Sequence, residues 1–370
     1  MNITYRFFDT NSESDIYQWL DLHSICFQYD ISQNLWDIIH LKNPFYNKTK
    51  PLILIAELDK KIVGSVSLIP SPIQEHRNNT VILYNSLLIC KAMVHPDYRK
   101  KGIFNHLLKN SMDVATYEGY DTLLTVSDNP YSYKSFVRIG FHDVAAMRWS
   151  KVYLSIDTAS SHYFDTLKLP RIVKKIFVSL ISFFYSQLIS LGEHSYQLKY
   201  GDITEFVEEI TNFFISNQSH EGIFGIRTNP FIQWRFCRND EYFKCFTLWD
   251  SEIMIGYLII QYKEGEKNAF IVDMCLSNDK TSLISILTKE SQEYLKKNKF
   301  QRLSVYMMEK DSNLSKFFSF RNGFFIQSSE PGKLNKSRFL MYALNKNLVK
   351  TFFSDKNNWN LQSVDTCLFI

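Results

Sequence analysis

The sequence predicts an α/β protein with two tandem domains. Strand-like and helix-like segments alternate along the chain, and their order occurs twice. Two short strings also share one spacing, because Ser132, Arg138, Gly140 and Phe141 recur as Ser315, Arg321, Gly323 and Phe324. With 370 residues, the chain is long enough for two complete hydrophobic cores.

The first repeat begins with two helical segments, 12–27 and 33–41, and Ser12 is a suitable N-cap for the earlier one. Two short strands then form a hairpin that turns at Lys60 and Lys61. The predicted elements from there onward are strands 51–58 and 62–68, a long apolar strand 82–94, a helix 102–118, a strand 122–126 and a short helix 129–138.

The second repeat has the same order, with Gly256 standing where Gly64 stands in the first. Its predicted elements are the strands 244–249, 253–260 and 270–276, a helix 282–297, a strand 302–307 and a helix 312–321. The predicted domain limits are therefore 1–150 and 200–345, joined by a linker 151–199 with an apolar helix and followed by a tail 346–370.

The composition excludes several partners. The net charge is only +4 and the cations are scattered, which does not favour nucleic acid. Six cysteines without metal-ligand spacing, and a start without a signal-peptide pattern, predict a cytoplasmic protein with reduced thiols and no metal. The apolar stretch 176–191 is shorter than the roughly 20 residues of a spanning helix. It predicts a half-buried connecting helix or, alternatively, peripheral membrane contact through 172–191.

A tight turn separates the long apolar strand from the following helix. One glycine and three cations lie in it, in the run Val94-His95-Pro96-Asp97-Tyr98-Arg99-Lys100-Lys101-Gly102-Ile103-Phe104. Backbone N–H groups at such a helix start form a site for a phosphate or pyrophosphate. The run resembles the acetyl-CoA-binding signature of the GNAT superfamily, the GCN5-related N-acyltransferases. The string 129–141 resembles the GNAT segment in which an Asn, a small residue and an aromatic precede Gly-Phe.

This resemblance implies two tandem GNAT-like domains, each a twisted mixed sheet flanked by helices, with acyl-CoA bound to the first. A backbone N–H near Val94 would stabilise the oxyanion of the thioester. The cofactor-binding residues implied are Ala92, Met93, Val94, Arg99, Lys100, Lys101, Gly102, Ile103, Phe104, Asn129, Ser132 and Tyr133. Two alternatives stay open: Asn129 equally suits a helix N-cap, and a solvated turn is the alternative role for the three cations.

The chain departs from the GNAT pattern at the catalytic positions. Many GNAT enzymes place a tyrosine where Phe136 stands, and Tyr133, one helical turn earlier, is the substitute acid. No carboxylate lies at Cys90 or Lys91, where many relatives carry a base, which leaves His95 as a candidate base. A water chain, or Asp273 or Glu309 from the second half, is the alternative. The expected mechanism is direct attack by an amine, without a covalent enzyme intermediate.

The second repeat lacks the glycine and the Arg-x-x-Gly pattern between Leu276 and its helix. We therefore expect it to be a structural partner and an acceptor platform. The length and layout resemble GNAT enzymes that acylate amino sugars, including those of the anthrose pathway. That resemblance implies acetyl-CoA or a short hydroxyacyl-CoA as donor, a dTDP-linked 4-amino-4,6-dideoxy sugar as acceptor, and a monomer.

Two other functions remain possible from the sequence. Cell-wall aminoacyl transferases also use paired GNAT-like domains, but they lack an intact CoA loop, so the turn at 99–102 argues against them. A CoA-binding scaffold without turnover is favoured by the missing tyrosine and carboxylate.

Overall fold

The computed structural model describes residues 2–46, 51–78, 80–154, 172–173, 176, 196–217, 221–237, 242–263, 265–277, 281–310, 312–319, 324–326, 334, 336–345, 348, 350–361 and 365. Most of the linker 151–199, most of the stretch 172–191, and the second copies of the arginine and glycine at 321 and 323 lie outside them. The predictions for these positions are not tested. Over the described residues, no helix has both the length and the apolar character needed to cross a membrane.

The first half forms both helical segments and the hairpin. Its elements are β1 (Thr4–Phe7), α1 (Glu13–Phe27), α2 (Gln33–His40), β2 (Leu52–Leu58), β3 (Lys61–Pro70), β4 (Ile73–Arg77), β5 (Thr80–Tyr84), β6 (Ser86–Val94), α3 (Ile103–Tyr117), β7 (Thr122–Ser127), α4 (Pro130–Arg138) and β8 (His142–Tyr153). Ser12 caps α1 by accepting a hydrogen bond from the Asp15 amide, as predicted.

The second half has the same central order of hairpin, strand, helix, strand and helix, but an additional strand lies between its first two helices, and β4 and β5 interrupt that order in the first half. Its elements are β9 (Gln197–Asp202), α5 (Val207–Ser216), β10 (Gly222–Gly225), α6 (Asn229–Phe236), β11 (Tyr242–Asp250), β12 (Ile253–Tyr262), β13 (Asn268–Leu276), α7 (Thr281–Lys297), β14 (Arg302–Met308), α8 (Asn313–Phe317), β15 (Phe325–Ile326), β16 (Ser337–Ala343) and α9 (Lys350–Ser354). The predicted fold class, a mixed α/β sheet flanked by helices, is confirmed.

One predicted strand was wrong in its extent. The segment 82–94 is divided at Asn85, whose amide donates to an oxygen of Asp121. Residues before the division belong to β5, which pairs with β4 in a small separate sheet of order β10-β4-β5. Residues after it form β6 in the main sheet.

A single main sheet runs through both halves. Its order is β1-β2-β3-β6-β7-β16-β8-β14-β13-β12-β11-β9. The late strand β16 lies between β7 and β8, antiparallel to both. The second part of β8 pairs with β14 over Met147 to Tyr153. The limit predicted at residue 150 therefore falls inside a strand that both halves share, and the domain limits stay a prediction.

The two hairpin glycines have the same role, which supports the repeat. Gly64 pairs with Val94, and Gly256 pairs with Leu276. A Cβ on Gly64 would lie 2.9 Å from Ile103 Cγ2, and one on Gly256 would lie 2.7 Å from Leu276 Cδ2. In both halves the glycine lets neighbouring side chains pack directly on the hairpin.

The expectation of reduced thiols is wrong at Cys90. Cys90 is disulfide-bonded, whereas Cys26, Cys237, Cys245 and Cys275 are free thiols.

Candidate active site

A cleft opens in the first half where β6 and β7 diverge. The two parallel strands pair only from Ser86 and Thr122 to Leu88 and Leu124. Beyond this point β6 continues to Val94 and β7 to Ser127. The two strands therefore diverge toward their carboxyl ends.

The two faces of the β6 end pack against different helices. Ala92 and Val94 pack in a cluster with Ile103 of α3 and Phe136 of α4. Met93 packs in a second cluster with Trp19 of α1. This alternation follows from the two-residue period of a strand. A ligand that enters the cleft from the α3 side can therefore meet one that approaches from the α1 side.

The orientation of the Val94 amide follows from its neighbour. The His95 N–H donates to the Val63 carbonyl at 2.9 Å, across the β3 edge. Because successive amides of a strand point in opposite directions, the Val94 N–H points away from β3 and toward the cleft. The Val94 carbonyl accepts a hydrogen bond from Arg99 Nε at 3.1 Å. The amide thus has the direction that an oxyanion donor needs.

The turn before α3 uses two left-handed residues, Lys100 with φ 63° and Gly102 with φ 81°. Gly102 is the N-cap of α3 and makes no side-chain capping bond. The first-turn amides have no acceptor within the helix, so they can bind an anion. A Cβ on Gly102 would meet no atom within 4 Å. Within the chain itself, glycine is therefore required by its backbone conformation rather than by a close contact.

The three cations of this turn have different surroundings. Arg99 is held at the strand end by its bond to Val94. The Lys101 ammonium lies 4.9 Å from the centroid of the Tyr98 ring, and Lys100 is exposed.

The α4 segment shows how the second motif folds. Asn129 caps the helix, since its side chain accepts from the Tyr131 amide at 2.8 Å and the Ser132 amide at 3.4 Å. The Ser132 hydroxyl lies 2.7 Å from that of Ser127 at the end of β7. The structure thus gives Asn129 the capping role, one of its two predicted roles.

Phe136 is a core residue. Its ring packs edge-on against Phe104 at 5.7 Å and Phe141 at 5.0 Å between centroids. A buried apolar contact explains why this position does not require a hydroxyl. The same contact accounts for Phe104 in place of the small residue of the GNAT pattern.

The Tyr133 hydroxyl is hydrogen-bonded to a carboxylate. It donates to Asp143 Oδ2 at 2.8 Å, and this bond together with burial raises the pKa of Tyr133. Arg338 of β16 also binds this carboxylate, through Nε at 2.9 Å from Oδ1. The phenol therefore stays protonated at neutral pH, as an acid for a leaving thiolate must be.

The other predicted catalytic groups have structural partners. His95 Nδ1 accepts from the Asp97 amide at 3.3 Å and so caps a short turn. Glu309 binds the Lys336 ammonium at 2.7 Å. Asp273 is buried and bound by Arg227. The catalytic roles suggested for these groups stay predictions.

The second half has a cleft at the corresponding place. The β13 and β14 strands pair only from Asn268 and Arg302 to Ile271 and Val305. A cavity of about 290 Å³ lies beyond this point, with an apolar wall that includes Met274, Leu276 and Met307. Its polar wall includes Arg227, which forms ion pairs with Asp273 at 2.8 Å and Asp365 at 2.7 Å.

Residues 8–142 match the acetyltransferase (GNAT) domain. The match covers the diverging strands and the α3 turn described above. The domain and the mixed α/β fold define the class of the protein, which is an N-acyltransferase with a GNAT acetyltransferase domain.

Solved structures share this fold over nearly the whole chain. A tandem GNAT protein from the clavulanic acid biosynthesis pathway is 13% identical, with a TM-score of 0.62 over 93% of this chain and 99% of that one. A probable N-acyltransferase from Enterococcus faecalis V583 is 11% identical, with a TM-score of 0.63 over 93% of this chain and 73% of that one. A GCN5-related N-acetyltransferase from Anabaena variabilis is 12% identical, with a TM-score of 0.59 over the same shares. No protein of curated function matches the sequence.

Proposed function

We propose that the protein transfers an acetyl or short hydroxyacyl group from acyl-CoA to the amine of a dTDP-linked 4-amino-4,6-dideoxy sugar. The proposal includes a monomer acting in the cytoplasm. The observation that supports it most directly is the open end of the β6–β7 cleft beside the uncapped start of α3. The cleft can take an extended thioester arm while the α3 amides bind a diphosphate.

Each step can be assigned to a group of this chain. The Val94 N–H faces the cleft and would bind the thioester oxygen as it becomes an oxyanion, a donor effect of about 3 kcal/mol. An amine with a pKa of about 8 is partly neutral near pH 7, so attack requires mainly proximity. As the C–N bond forms and the C–S bond breaks, the Tyr133 hydroxyl would protonate the departing thiolate of CoA. The proton lost by the attacking nitrogen would return through water to the Tyr133 phenolate.

Direct attack is favoured over a cysteine intermediate. Cys90 is disulfide-bonded, so it has no free thiol. Burial raises the pKa of the Cys26 thiol, whose sulfur lies 3.5 Å from the Val94 carbonyl oxygen. A protonated, half-buried thiol is a poor nucleophile.

The test is an assay of CoA release with acetyl-CoA and a panel of amines, read by mass spectrometry of the acylated product. The panel contains dTDP-4-amino-4,6-dideoxyglucose, its free sugar and an aminoacyl acceptor. Turnover with the nucleotide sugar is the expected result. Tight CoA binding by calorimetry without product from any amine would instead favour a scaffold function.

A further inference from the structure

Lys91 stands at an irregular position of β6. The register with β3 shifts there, since Ser65 pairs with Met93 but Ser67 pairs with Cys90. Lys91 adopts a left-handed φ of 45° at this shift, as the extra residue of a bulge does. Bulges re-aim side chains, and this one directs Lys91 toward the residues that follow α1.

The Lys91 ammonium lies among aromatic side chains. Nζ donates to the Tyr29 hydroxyl at 3.2 Å and lies 5.5 Å from the Phe27 ring centroid. The two rings are partly open to solvent, at 39% exposure for Phe27 and 50% for Tyr29. A cation and two accessible ring surfaces therefore border one surface on the α1 side of β6.

The corresponding position in the second half is Asp273. Lys91 lies three residues before Val94, which pairs with Gly64, and Asp273 lies three residues before Leu276, which pairs with Gly256. Asp273 is buried and satisfied within the protein, because Arg227 binds it at 2.8 Å and the Tyr257 hydroxyl at 2.9 Å.

Lys91 differs from Asp273 in being without a counter-charge. Among the residues that the structure describes, no carboxylate lies within 4.0 Å of its ammonium. The carboxylate of Asp30 interacts electrostatically with His23. The guanidinium of Arg99 is a further cation, close to Cys26. No described carboxylate thus neutralises the Lys91 ammonium by direct contact, in contrast to the internally neutralised site of the second half.

We propose that Lys91, Phe27 and Tyr29 form the subsite for the nucleotide part of the acceptor, with the ammonium on the phosphates and the rings against the base. This inference rests on the proposed function. Lysine binds phosphate as a point charge, and aromatic rings stack on any base. Three residues of strand span roughly 10 Å. That length is comparable with the distance between a sugar amine at C4 and phosphates attached at C1, so the amine can reach the cleft beside Val94.

The first test compares two acceptors in the variant Lys91→Met. We expect kcat/KM for dTDP-4-amino-4,6-dideoxyglucose to fall at least tenfold, mainly through KM, and kcat/KM for the free amino sugar to stay within twofold. Lys199→Met is the matched control, because this exposed lysine also lies over an aromatic ring, 4.4 Å from the centroid of Trp249. An equal loss with both acceptors, or no loss with either, overturns the subsite.

A binding measurement separates this subsite from the proposed function. dTDP is titrated by calorimetry into protein saturated with CoA, so that the α3 turn is occupied. We expect binding that weakens at least tenfold in Lys91→Met and not in Lys199→Met, with CoA affinity unchanged in both. If the wild type acylates no amine but shows this pattern, the proposed reaction fails and the subsite stands. If the wild type does not bind dTDP, or binds it independently of Lys91, the subsite is wrong whatever the activity.

Discussion

Tyr133 and Asp143 are joined by a hydrogen bond of 2.8 Å between the phenol and a carboxylate oxygen. The first residue belongs to α4 and the second to β8. Because Arg338 of β16 binds the same carboxylate, the phenol is fixed relative to three elements from both ends of the chain. This fixed position makes Tyr133 the most testable of the proposed catalytic residues.

Replacement Tyr133→Phe removes only the hydroxyl. We expect kcat to fall about 100-fold, with KM for acyl-CoA unchanged, because general acid catalysis contributes about that factor. Tyr131→Phe is the control, since Tyr131 is on the same helix and is largely exposed. Steady-state kinetics with the best amine decides, and equal kcat values for the two variants would show that the acid lies elsewhere.

The left-handed Gly102 offers a second test. Gly102→Ala and Gly119→Ala alter residues at opposite ends of α3 with nearly equal φ, 81° and 78°, and with no atom within 4 Å of either new Cβ. Both should lower the free energy of unfolding by about 1 kcal/mol. Only Gly102→Ala should weaken CoA binding, by roughly tenfold, since it disturbs the α3 start. Calorimetry that finds equal CoA affinities would remove the diphosphate from this turn.

Two buried histidines predict a pH dependence of stability. Burial lowers the pKa of His40 to about 3 and that of His23 to about 4. Both imidazoles are therefore neutral in the folded protein, whereas in the unfolded chain they bind protons below about pH 6.5. Stability is fully present above that pH and is lost as the pH falls, by about 2 kcal/mol for each group between pH 6.5 and 5.

The variant His40→Leu tests the origin of this loss. Among the residues that the structure describes, neither ring nitrogen of His40 has a hydrogen-bond partner, so leucine removes no described bond. Urea unfolding at pH 6.5 and 5 should show about 2 kcal/mol less acid destabilisation than in the wild type. Exposed His142→Leu is the control and should keep the wild-type dependence. An undiminished loss in His40→Leu contradicts the assignment.

The ion pairs of the second cleft can be ranked by removing one cation at a time. Arg227→Met leaves the buried carboxylates of Asp273 and Asp365 without their cation, and the free energy of unfolding should fall by about 3–5 kcal/mol. Lys336→Met removes an exposed partner of Glu309 and should lower it by less than about 1 kcal/mol. Urea titrations of both variants provide the comparison. Similar losses in the free energy of unfolding would contradict the expected effect of burial.

Local patterns in the sequence were sufficient for much of the first half. The cap at Ser12, the hairpin and the α3 start each depend on residues close together in the chain. The β4 strand was missed because its residues Gln74, Glu75 and His76 are polar, although pairing with β10 buries them. Burial that comes from a segment about 150 residues away leaves no local pattern.

The position of β16 in the sheet likewise could not be predicted from local sequence patterns, because its partners β7 and β8 are remote in the chain. At the site, the phosphate turn could be predicted, because a glycine and cations after an apolar strand are a specific signal. From the sequence, Lys91 was considered only because many GNAT enzymes carry a carboxylate at or next to this position. A charged residue inside an apolar strand was the available indication, but its direction depends on the bulge.

The placement of β16 has a consequence for how the protein is made. The ribosome releases the N-terminal region first, yet the gap between β7 and β8 is filled only when residues 337–343 emerge. Roughly 200 residues separate β7 from β16, which at bacterial or eukaryotic elongation rates is about 10–40 s. Throughout this interval the edge of β7 lacks its β16 partner, so chaperones have a defined segment to shield until residues 337–343 emerge.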